Sequence, residues 1–140
     1  MLFRSSATAS VSFTDSITSN TFAISNFSTT AEKLKFDTTP ESDGAGKPWK
    51  KQPVISVRDA FGNTITSDNT TIVTLDCALP ITCPGKLVGN FSQLRVTNGV
   101  ADFSGAGLHL GTTTNGIQLK ATSTPSMPIA PTFSDQFNEN

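Results

Sequence analysis

The stretch Pro53-Val54-Ile55-Ser56-Val57-Arg58-Asp59, running on into Ala60-Phe61-Gly62-Asn63, decides the fold class of this chain. Ile55 and Val57 fall on one face of an extended segment, and Ser56 and Arg58 fall on the other. That is the two-residue period of a half-buried strand. The Gly62-Asn63 pair closing it suits a hairpin-type turn that needs a positive φ. Downstream, Thr71 to Cys77 repeats the pattern, with Val73, Leu75 and Cys77 on one face. Gln93 to Val96 and Val100 to Phe103 flank Asn98-Gly99, a strong short-range hairpin signal. Gly116 to Ser123 aligns Ile117, Leu119 and Ala121. Upstream, Lys33-Leu34-Lys35-Phe36 alternates and stops at Thr38-Thr39-Pro40. The last segment carries Pro125, Pro128 and Pro131 and can form only an edge strand or an extended tail. About seven short strands with no helical pattern predict an all-β sandwich.

Composition agrees. The 140 residues amount to about one domain, and 16 Ser plus 21 Thr leave little of the Ala, Leu, Glu and Lys that helical bundles require. A net charge of −1 gives no basic footprint for nucleic acid. No run of eighteen apolar residues is present, so no membrane-spanning helix is expected. Met1 to Ser10 lacks the apolar stretch of a secretory signal, which for an exported protein would be removed or lie upstream.

Cys77 and Cys83 flank the short loop Ala78-Leu79-Pro80-Ile81-Thr82. A local disulfide is the simplest reading, with two buried thiols as the alternative. Zinc is disfavoured because structural sites take four ligands and His109, the single histidine, is distant in sequence. A disulfide implies an oxidising, extracellular setting. No nucleophile elbow, zincin or phosphate-loop motif occurs, so no catalytic residue and no cofactor are expected. Calcium is a minority alternative, with oxygen ligands at Asp59 and Asn63 and at Ser67-Asp68-Asn69; Asx residues are also favoured in turns for their own hydrogen bonds. The segment Glu41 to Lys51 reads as an exposed loop. Within it Lys47, Lys50 and Lys51 surround Trp49, either a packing residue at the rim of the core or part of a contact surface for an anionic glycan. Asn26, Asn69 and Asn90 stand in N-x-[ST] sequons, which matter only in a glycosylating cell.

Taken in order, Ala31-Glu32-Lys33-Leu34-Lys35-Phe36-Asp37-Thr38-Thr39-Pro40, the Gln52 to Asn63 strand and turn, Ile72-Val73-Thr74-Leu75, Thr97 to Gly105 and Leu119 to Ser123 resemble bacterial Ig-like repeats of the invasin and intimin type. The similarity covers roughly residues 31–124. The Cys77–Cys83 loop and the Lys47–Lys51 insert depart from it. The resemblance implies an Ig-like sandwich acting as a non-catalytic spacer or adhesive module at a cell surface, its partners being neighbouring Ig-like modules or copies of itself. Residues 31–140 would form the sandwich. Residues 1–30 would be an N-terminal strand arm or the end of a preceding repeat, since Val11, Phe13, Ile17, Phe22, Ile24 and Phe27 are spaced as buried strand residues. Two alternatives accompany this expectation: a self-assembling filament subunit linked by strand exchange through that arm, and a carbohydrate-binding module.

Overall fold

A computed structural model describes residues 28–83, 85–129 and 131–140. Eight strands follow one another in the chain: β1 (Lys33–Thr38), β2 (Val54–Arg58), β3 (Ile72–Leu79), β4 (Gln93–Arg95), β5 (Val100–Asp102), β6 (Thr114–Thr124), β7 (Thr132–Phe133) and β8 (Phe137–Glu139). No helix occurs among the described residues. The strands make two antiparallel sheets, one ordered β1-β2-β5 and the other β4-β3-β6-β7, with β8 also pairing β6. The all-β sandwich read from the sequence is the architecture of the described domain.

Alternation explains the core. Leu34, Ile55, Val57, Ala101 and Phe103 from the first sheet join Val73, Leu75, Cys77, Ile117, Leu119 and Ala121 from the second in one buried cluster. Burying a side chain of this size contributes about 1.5–3 kcal/mol, so a sandwich of this size needs no large cofactor to fold. β3 and β6 form the longest ladder, from Ile72↔Thr124 to Leu79↔Gln118, and carry the second sheet. Its outer edge is one interrupted strand: β7 pairs with Lys120 and Ala121, Ser134 still bonds Leu119, and β8 pairs with Thr114 and Ile117 after a break at Asp135 and Gln136. The proline-bearing end is thus an edge strand, one of the two forms open to it.

Two turns behave differently from simple hairpins. Asn98 (φ 51°) and Gly99 (φ 77°) both adopt the positive φ that a two-residue type I′ turn demands. Thr97 and Val100 exchange backbone hydrogen bonds across it at 2.8 and 3.1 Å. Pairing stops there, because β4 continues into the β3 sheet and β5 into the β2 sheet. The turn is therefore a crossing between layers. Gly99 is also fixed sterically, since a Cβ there would meet the Ile65 carbonyl. Likewise the Asp59–Asn63 turn ends β2 and hands the chain to β3 in the opposite sheet, closing only an Arg58–Thr64 bridge locally.

Candidate functional site

The region 41–52 is joined to the C-terminal strand by a network of polar groups. An antiparallel Glu41–Lys51 bridge closes the loop at its base. Lys47, Lys50 and Lys51 are exposed, and Glu41 lies 3.8 Å from Lys50 and 3.7 Å from Lys51. Trp49 is only 2% exposed, so it packs against the core and is no part of an exposed contact surface. An indole this deep needs an acceptor for its N–H. Glu139, on β8 and 0% exposed, provides it.

Glu139 Oε1 accepts from Trp49 Nε1 at 2.7 Å and from the Leu110 amide at 2.9 Å. Its Oε2 accepts from Ser42 Oγ at 2.7 Å. Ser42 Oγ in turn accepts from the amides of Gly44 at 3.0 Å and Asn140 at 3.3 Å. Phe137, two residues before Glu139, meets the Trp49 ring edge-on with centroids 5.0 Å apart. Gln52 completes the arrangement, donating to the carbonyls of Trp49 and Leu108 and accepting from the Leu108 amide at 2.9 Å. The Ala45 amide donates to the Asn140 carbonyl at 2.6 Å. The loop is thereby clasped by the C-terminal strand. No cation among the described residues forms an ion pair with Glu139, and its carboxyl oxygens are met by hydrogen-bond donors.

The Ser42 hydroxyl donates one hydrogen bond to Glu139 and accepts two from backbone N–H groups, so it joins the loop to the C-terminal strand. His109 stands apart from this network, half-buried, its Nδ1 2.9 Å from the Gly107 carbonyl.

The turn carboxylates are occupied in the same manner. Asp59 is 0% exposed and accepts from the amides of Ser28, Phe61 and Asn63, each at 2.9 Å, and from the Asn63 side chain at 3.3 Å. Burial pushes its pKa up, but these donors outweigh burial and hold it below the ordinary carboxylate value. Asp68 accepts from the amides and hydroxyls of Thr70 and Thr71. Burial raises its pKa too, and the Thr71 hydroxyl with the other donors brings it below the usual range. These lone pairs, aimed at turn N–H and O–H groups, are what a calcium ion would have to claim.

Cys77 and Cys83 form a disulfide with Cα atoms 5.6 Å apart, as the short loop between them suggested. Ile81 at its tip is 84% exposed. Beside it a cleft of about 400 Å³ is lined by Pro80, Thr82, Cys83, Lys86, Val88, Leu110, Gly111, Thr112 and Thr114. The sequon residues Asn69 and Asn90 are both exposed, while Asn26 lies outside the described residues, as does nearly all of the 1–30 arm. Sequence reasoning missed Ser42, Gln52 and Glu139 as a unit. The available signal was a lone Trp in a polar loop, which had to find an acceptor somewhere. No described helix is long and apolar enough to cross a membrane.

No protein-family model matches the chain, and no curated protein matches it.

Proposed function

We propose that the chain is a non-catalytic structural or adhesive module of the Ig-like kind, working outside the cell or at its surface. The observation that carries this reading is the use made of its buried polar groups. Gln52, Asp59 and Glu139 each accept hydrogen bonds from backbone N–H groups, and Glu139 also from the Trp49 indole and the Ser42 hydroxyl, so that they fix a loop or turn. A catalytic centre keeps at least one such group open toward substrate. The Cys77–Cys83 disulfide supports an oxidising location, because such bridges persist mainly in secreted and surface proteins. The two-sheet architecture fits the module type suggested by the sequence resemblance.

Protease shaving of intact source cells tests the location. Peptides from residues 31–140 should be released from unbroken cells, and alkylation without reductant should leave Cys77 and Cys83 unlabelled. Recovery of the peptides only after lysis, with both thiols labelled, would overturn the reading.

A further inference from the structure

The cleft of about 400 Å³ beside the 77–83 loop has a backbone pinned on several sides. Cys83 forms one wall, tied covalently to Cys77 and by its amide to the Pro80 carbonyl at 2.8 Å. The Lys86 amide donates in turn to the Cys83 carbonyl at 2.9 Å. Val88 is fixed by a reciprocal pair of 2.9 Å hydrogen bonds with His109. Leu110, only 4% exposed, lies at the floor, its amide donating to Glu139 and its carbonyl accepting from Gly46, both at 2.9 Å. The lining is thus shaped in advance, and little ordering is left to be done on binding.

Its chemistry is asymmetric. Pro80, Val88 and Leu110 offer apolar surface, and Thr82 and Thr112 add hydroxyl groups. Lys86 is the one charged residue of the lining, and no carboxylate among the described residues pairs with it. The volume falls within the range of small-molecule sites, about 300–1,000 Å³. A single cation beside apolar walls favours a ligand with an apolar body and one monovalent anionic end, and disfavours a cationic one. A second copy of the chain is a poorer occupant, although Ile81 and Val88 are 84% and 47% exposed. A two-fold contact through this patch would bring two Lys86 side chains into one interface, with no acid in the lining to separate them.

We propose that this cleft binds a small aliphatic carboxylate, with the hydrocarbon part against Pro80, Val88 and Leu110 and the carboxylate at the Lys86 ammonium. This goes beyond the structural-module reading: a domain that binds no small molecule satisfies that reading and fails this one.

Octanoate is the probe, titrated into the isotope-labelled full chain and followed by amide NMR shifts. The resonances of Cys83, Lys86, Val88, Gly111 and Thr112 should move together and saturate, while those of β1 and β2 stay in place. Lys86→Gln should weaken octanoate binding about fivefold, the worth of one exposed ion pair. Val88→Asp, at a half-exposed position, should weaken it further by placing a like charge in the cleft, with thermal unfolding of the sandwich unchanged. Octanol, which has the same body and no charge, should bind Lys86→Gln and the unsubstituted chain equally. The proposal is overturned if no saturable shift appears at the cleft, or if Lys86→Gln binds octanoate as tightly as the unsubstituted chain. Cleft shifts that follow protein concentration and not octanoate would overturn it too, since a second copy then covers the site.

Discussion

Two loops of this domain are both tied down, and they are tied by opposite means. The 77–83 loop is closed by a covalent bridge between residues six apart in sequence. The 41–51 loop is held by hydrogen bonds to a side chain 90 residues away from Trp49. The covalent tie removes freedom from the unfolded chain and leaves its loop tip, Ile81, in solvent. The noncovalent tie acts only in the folded state and is buried at Trp49 and Leu110, so its strength depends on those donors finding the carboxylate. One loop is secured locally and the other by completion of the fold.

The sharpest way to break the comparison is Glu139→Ala. It leaves the Trp49 indole N–H, the Leu110 amide and the Ser42 hydroxyl without their acceptor. Orphaned buried donors of this kind cost roughly 3–5 kcal/mol together, measurable by urea denaturation. Trp49 is the single tryptophan, so its emission should shift to the red as the clasp opens. Unchanged emission together with an unchanged midpoint would show that the clasp contributes nothing.

Reduction of Cys77–Cys83, or Cys→Ser at both positions, comes next. For so short a loop the chain-entropy model gives about 2 kcal/mol. The tryptophan emission of the folded protein should stay where it was, because the two ties are separate. A shift on reduction alone would show that they are coupled.

Acid should weaken a third element, the turns. Asp59 and Asp68 both titrate below the ordinary carboxylate value in the folded domain. Their contribution is complete above about pH 4, the unfolded value, and falls away as pH drops through the lowered folded values. Asp59→Asn with Asp68→Asn should therefore destabilise at neutral pH and flatten the acid limb of a urea-midpoint profile. A profile parallel to that of the unsubstituted protein would refute the assignment.

The smallest effect belongs to the rim of the clasped loop. Lys50 and Lys51 reach Glu41 only at 3.7–3.8 Å and are more than half exposed. Glu41→Ala should change stability by less than about 0.5 kcal/mol, and salt should screen even that.

How much of this was legible in the sequence follows from range. β2, β3 and β6 were readable because burial imposes a two-residue period on residues next to one another. The Asn98-Gly99 turn was readable for the same reason, since its φ angles are a local requirement. What could not be read was that its flanking strands part into different sheets, because that choice is made by the packing of Val96, Ala101 and Phe103 into a shared core. The clasp was least legible of all. Phe137-Asn138-Glu139-Asn140 looks like a polar tail, and nothing near it in sequence announces that Glu139 is wholly buried. The disulfide lay between these extremes, its partners being close in sequence and its loop short.

The distance between Trp49 and Glu139 also sets a schedule during synthesis. With 90 residues between them and elongation at about 5–20 residues per second, the acceptor is made roughly 5–20 s after the indole it must receive. The disulfide partners, six residues apart, are made within about a second or two of each other by the same reckoning. A nascent chain can thus have every residue of β1 to β5 translated while Trp49 still lacks its partner. The tryptophan's environment is a natural clock for the completion of the clasp.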